Sequence, residues 1–135
     1  MNILMWVLQL LLAMAFLAHG WLFLSPPAEL VAQMNASLPR AFQLFLGVAE
    51  VLAAIGLTLP GLTRILPWLI VWAAGGVMIV TGSATVFHVS RGEMSSAAVT
   101  LLLFGIAAFV AYVRYRVHPI AARHAAAPGG TRVKP

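Results

Sequence analysis

The stretch AFQLFLGVAEVLAAIGLTLP, residues 41 to 60, carries one charge, Glu50, in an otherwise apolar run. About 20 helical residues cross the ~30 Å hydrocarbon core of a bilayer. In lipid such a run must be a helix, because a helix satisfies its own backbone hydrogen bonds. At ~1.5 Å per residue Glu50 stands about 14 Å along from Ala41, close to mid-membrane. An ionised carboxylate facing lipid at that depth costs roughly 3 kcal/mol or more. Glu50 must therefore face the bundle interior, be paired, or be protonated. Gln43, Gly47, Glu50 and Ala54 recur at helical spacing and define the inward stripe.

The surroundings repeat the pattern. Of the 135 residues, 62% are hydrophobic and 8% charged, with mean hydropathy +0.99, a balance that fits lipid rather than water as the bulk solvent. Three further runs are long enough to span, roughly Ile3 to Leu24, Ile65 to His88 and Ser95 to Val113. The expected fold is all-α, a polytopic four-helix transmembrane bundle over residues 1–117, followed by a basic, disordered tail over 118–135. SPP (Ser25 to Pro27), LPG (Leu59 to Gly61) and SRGEMSS (Ser90 to Ser96) punctuate the runs, and Pro67 is expected in the first turn of the third helix. PAELVAQMNASL (Pro27 to Leu38) is too polar to span and reads as a short interfacial helix or loop. A cleaved leader is not expected, since MNILMW has no basic residue and the apolar run behind it is too long.

Four spans put both termini on one side with Arg64, Arg114, Arg116, Arg123, Arg132 and Lys134, against Arg40 and Arg91 on the other. By the positive-inside rule the termini are cytoplasmic. The expected location is the cell membrane, as a multi-pass protein of a bacterial inner membrane. Trp6, Trp68, Tyr112 and Tyr115 fall near one interface and Trp21 and Phe23 near the other, where aromatic belts form. Glycines and alanines at Gly47, Ala53, Ala54 and Gly56, at 73–76 with Gly82, and at Gly105, Ala107, Ala108 and Ala111 allow close helix approach. The net charge of +5 comes largely from the C-terminus, and no nucleic-acid partner is expected. With no cysteine, disulfides, thiolate metal sites and CxxC redox chemistry are excluded from this chain.

The polar residues concentrate in the outer half. Thr81, Thr85 and His88 form a stripe on the third span. His19 lies about 24 Å from Ile3 on the first, and Ser96 and Thr100 open the fourth. Side chains tilt toward the N-terminus of their own helix, so Glu50 leans outward while His19 and His88 lean inward, toward a common depth. Glu50, His19, His88, Thr85 and Thr81 are thus the candidates for ligand binding or proton exchange. Arg91 and Glu93 are read either as a solvated pair or as a gate. Gln9, in a nearly apolar inner half, reads as interhelical glue.

LGVAEVLAAIGLTLPGLTRILPWL (Leu46 to Leu69) with VFHVSRGE (Val86 to Glu93) resembles the DoxX-like family of small four-helix membrane proteins. The G-x-A-E of Gly47, Ala49 and Glu50, the L-P-G turn and the F-H…R-G-E exit carry the likeness, which spans most of Met5 to Val113. His19-Gly20-Trp21 departs from it, standing where many relatives have a Gly and a Lys. The resemblance implies a four-helix bundle. The family takes its name from a subunit of a thiosulfate:quinone oxidoreductase, and other relatives are linked to membrane redox complexes or act as accessory factors. A likeness to the vitamin K epoxide reductase fold cannot extend to its thiol chemistry here.

Two functions stand level. One is a redox-linked accessory protein binding a quinone or similar lipid-soluble ring. His19 or His88 would donate to its carbonyls and Glu50 would exchange protons. No haem pattern or flavin fingerprint is present, so no cofactor is certain and electrons would come from a partner. The other is a non-enzymatic structural or assembly subunit, docked in a membrane protein complex or a homo-oligomer. A proton or small-molecule carrier ranks lower. A metal site from His19, Glu50 and His88 ranks lowest, because no local spacing motif supports it.

Overall fold

A computed structural model describes residues 2–123. Its elements are α1 (Asn2–Leu24), α2 (Ala28–Ser37), α3 (Arg40–Thr63), α4 (Leu69–Ser90) and α5 (Met94–Tyr112), with a widened π turn over Val113–Val117. Helices α1, α3, α4 and the α5–π unit are long and apolar enough to cross a membrane. They alternate in direction, so α1 and α5 share the end that bears both described termini (the terminal end). The short helix α2 lies at the opposite end. The polar run Pro27 to Leu38 is thus mostly helical, and Pro27 and Pro39 stand as the N-caps of α2 and α3.

Two boundaries differ from the sequence reading. The L-P-G turn does not stop the second span. Helix α3 runs through Pro60 and Gly61 to Thr63 and ends on Arg64, whose φ of 57° is left-handed. So near the C-terminus, proline removes one backbone bond and leaves the upstream turns intact. The third span starts at Leu69 rather than Ile65, because Leu66 also adopts a left-handed φ of 50°. Pro67 therefore precedes the helix instead of sitting in its first turn.

The core is one cluster drawn from all four spans: Leu12, Ala13 and Phe16 of α1, Ala54 and Leu57 of α3, Ile70, Ala74 and Val77 of α4, and Ala107 and Val110 of α5. Large apolar side chains such as Leu52, Ile79, Val86 and Leu102 are exposed along the outside, as a lipid-facing surface requires. Helix α1 packs closely on α3 and α4 on α5, whereas α1 and α5 meet only sparsely. The bundle is therefore loosest along the α1–α5 seam.

The small residues divide into two groups. Gly20 and Gly47 face each other across α1 and α3, where a Cβ on either would lie 2.9 Å from the other's carbonyl oxygen. Gly56 admits the Ala73 methyl in the same way. By contrast a Cβ at Gly75, Gly76 or Gly105 would meet nothing within 4 Å. The close helix approach expected at those three positions does not occur within the bundle, because they lie on its outer faces.

At the α2 end, Arg40 donates to the carbonyls of Phe23 (2.7 Å) and Leu24 (3.0 Å), satisfying terminal groups of α1 that have no intrahelical partner. It also reaches Gln43 Oε1 at 3.2 Å, and Gln43 Nε2 donates to Asn35 Oδ1 and the Leu38 carbonyl. Fully buried Gln43 thereby joins α2 to α3. At the terminal end, buried Gln9 donates to the Leu57 carbonyl at 2.7 Å and accepts from Arg114 Nε at 2.6 Å. The expectation of a nearly apolar inner half fails here, since Arg114 is 4% exposed. Ala107, Val110 and Arg114 share one helical stripe, which turns the arginine inward rather than toward the headgroups. Residues 118–123 have no regular structure, and Ile120 packs on the core. Of the expected basic tail, 124–135 lie outside the described residues.

Candidate functional site

Glu50 is carried on the inward stripe of α3 and is 2% exposed. Its Oε2 lies 2.8 Å from Nδ1 of His19 on α1. The bond forms beside the Gly20–Gly47 contact, the one place where two absent side chains bring these helices together. The intramembrane carboxylate thus meets two of the conditions set by its depth, burial and pairing. His19 itself is 57% exposed at the side chain, and its ring stands edge-on to Phe23 at 4.7 Å between centroids. It bridges the buried acid to the outside of the bundle.

Both residues line a cavity of about 550 Å³, a size that suits a small organic molecule. Phe16, Val80, Val99 and Leu103 supply apolar walls. Thr81, His88, Ser95, Ser96 and Thr100 add polar groups. All four spans contribute, and the cavity lies where α1 and α5 are only sparsely in contact. Below it, Leu12, Leu57 and Val77 are essentially fully buried and close the core.

His88 faces this cavity but does not bond Glu50. Its Nδ1 lies 2.5 Å from Glu93 Oε2, and Arg91 Nε donates to Glu93 Oε1 at 2.8 Å. The hydrogen bond to His88, and after it the bond from Arg91, hold the Glu93 carboxyl below its usual range. The Arg91 guanidinium also lies 5.2 Å from the Phe87 ring centroid. The geometry is therefore two histidine–carboxylate pairs, one with its carboxylate buried in the bundle and one at the membrane edge, with both rings on one cavity. Each carboxylate fixes its histidine through Nδ1, which leaves Nε2 as the nitrogen available to a ligand.

The threonines take different places. Thr81 is buried and lines the cavity, and its hydroxyl donates to the Val77 carbonyl at 2.7 Å. With that proton used, Thr81 offers a ligand only an acceptor. The Thr85 hydroxyl is 2.7 Å from the Thr81 carbonyl and 2.8 Å from Thr100 Oγ1. Thr85 ties α4 to α5 and is not among the lining residues. Arg91 and Glu93 also stand outside the lining, so Glu93 reaches the cavity only through His88. Ser95 was missed in the sequence reading, although it opens the same outer turn as Ser96. Among the described residues no group of three or more His, Asp or Glu side chains is placed to hold a metal ion.

Four spanning helices around a laterally loose, partly polar cavity define a multi-pass α-helical membrane protein with a lipid-side pocket. A family model described as the DoxX-like family matches residues 7–110, and the chain belongs to that family. Searches among curated proteins and among solved structures return no match.

Proposed function

We propose that this protein binds a quinone, or a lipid-soluble molecule with a similar carbonyl-bearing ring, and serves a membrane redox complex as an accessory subunit. The observation that supports this most is the His19–Glu50 pair on the wall of the cavity. A quinone needs an apolar slot for its ring, a donor at its carbonyl and a route for protons. Phe16, Val80, Val99 and Leu103 furnish the slot. The Glu50 carboxylate holds Nδ1–H and stabilises the protonated ring. As the quinone is reduced, His19 gives its Nε2 proton to the carbonyl oxygen and is left as the neutral imidazole. The sparse α1–α5 seam offers the isoprenoid tail a way out to lipid. Electrons come from a redox partner, and this chain's part is to hold the ring and exchange protons.

The test is photolabelling with an azidoquinone in native membranes. Label on the cavity-facing residues of α4 and α5, displaced by unlabelled quinone and lost in His19→Ala, supports the reading. Label spread evenly over the lipid-facing surface refutes it. The assembly-subunit reading has its own support, because the same His19–Glu50 bond spans the tight α1–α3 contact and serves the fold there. On that reading Glu50→Gln lowers stability and co-purification of a partner without loss of any small molecule.

A further inference from the structure

At the terminal end a second cavity of about 310 Å³ is lined by Asn2, Trp6, Arg64, Arg114, His118 and their neighbours. Arg114 is its buried member. Its Nε is bonded to Gln9, its Nη1 lies 3.1 Å from Asn2 Oδ1, and Nη2 is buried with no hydrogen-bond partner among the described residues. The Trp6 ring covers the guanidinium, 5.5 Å from its carbon. Every partner named so far is neutral.

No carboxylate side chain is near. The chain's three acidic residues are Glu29, Glu50 and Glu93, and all belong to the α2 half of the bundle. A buried guanidinium without a counter-ion is costly. Two more basic groups nonetheless border the same space. Arg64 is held there by its left-handed backbone at the end of α3, and the Arg123 N–H donates to its carbonyl at 3.0 Å. His118 follows the π turn, where its own N–H bonds the Val113 carbonyl at 2.7 Å. Such widened turns recur at functional sites. Gly61 completes the wall, since a Cβ there would stand 2.8 Å from the Trp6 ring.

We infer that this cavity binds a phosphate group, with Arg114 and Arg64 as its cationic donors and His118 beside them. Guanidinium N–H pairs match phosphate oxygens in geometry and charge. The group comes either from an anionic phospholipid at the bilayer surface or from soluble phosphate. The site is separate from the His19–Glu50 cavity and stands whether or not that cavity holds a quinone.

The test uses the full chain, delipidated in a neutral detergent, with Arg64→Gln as the variant. Arg64 is exposed and makes no side-chain bond among the described residues, so this change leaves the core untouched. Native mass spectrometry with phosphatidylglycerol reads the lipid source. Thermal stabilisation by inorganic phosphate, against chloride at equal ionic strength, reads the soluble one. The expected result is saturable wild-type binding of one or both probes, weakened about tenfold or more in Arg64→Gln by loss of a charge-assisted bond. A lipid adduct without phosphate stabilisation assigns the site to a headgroup, and the reverse assigns it to free phosphate. Binding of neither probe, or equal binding by the wild type and Arg64→Gln, overturns the inference.

Discussion

Replacing Gly47 by alanine tests how the His19–Glu50 pair is built. The new methyl would stand 2.9 Å from the Gly20 carbonyl oxygen and 2.9 Å from Leu24 Cγ, where ordinary contact begins near 3.4 Å. The carbonyl is backbone and cannot turn aside, so α1 must retreat by about half an ångström at this crossing. His19 is the residue next to Gly20, and its 2.8 Å bond to Glu50 then opens to the margin of hydrogen bonding. Overpacking costs about 1–3 kcal/mol, and weakening a bond to a charged group adds about 1 kcal/mol. Gly47→Ala should therefore lose roughly 2–4 kcal/mol. Gly75→Ala is the control, because its methyl meets nothing within 4 Å. Reversible unfolding in bicelles compares the two. A Gly47→Ala stability within about 0.5 kcal/mol of Gly75→Ala would show that the glycine contact does not set the pair.

Three further outcomes follow from the geometry. In a double-mutant cycle of His19→Ala and Glu50→Gln the two should couple by about 0.5–3 kcal/mol, whereas additive losses would mean that the bond contributes nothing. Gln9→Leu strands Arg114 Nε and removes the side-chain donor to the Leu57 carbonyl, and should cost about 1–3 kcal/mol. Adding Arg114→Met should recover part of that loss, and a purely additive double variant would contradict the shared network. Glu93 has a native pKa held below its unfolded value by His88 and Arg91. Its contribution to stability is thus complete above the ordinary glutamate value, near pH 4.3, and is lost as pH falls through the depressed native value. Stability of the wild type should fall more steeply than that of Glu93→Gln in that acid range, and parallel curves would remove the ion pair from the account.

The four spans were legible because span length and hydropathy do not depend on long-range contacts. Glu50's inward face was legible for the same local reason, since a carboxylate at that depth has few other places to go. Partners were harder. His88 and Glu50 lie on neighbouring helices with opposed tilts, which made them look like a pair. Glu93 is five residues from His88 across the Gly92 turn and reaches the ring first. Arg114 looked like a flanking charge because it follows an apolar run. Its spacing from Ala107 and Val110 was the available signal that it turns inward. Helix ends at Pro60 and Pro67 depended on backbone detail, above all the left-handed Arg64 and Leu66, that proline placement alone does not convey.

Binding at the His19–Glu50 cavity is tested most directly by native mass spectrometry of protein released gently from its own membrane, wild type beside Glu50→Gln. The expected result is a small-molecule adduct of quinone mass on the wild type that is absent from a folded Glu50→Gln variant. An adduct-free wild type, or an adduct that persists unchanged without the carboxylate, would contradict it.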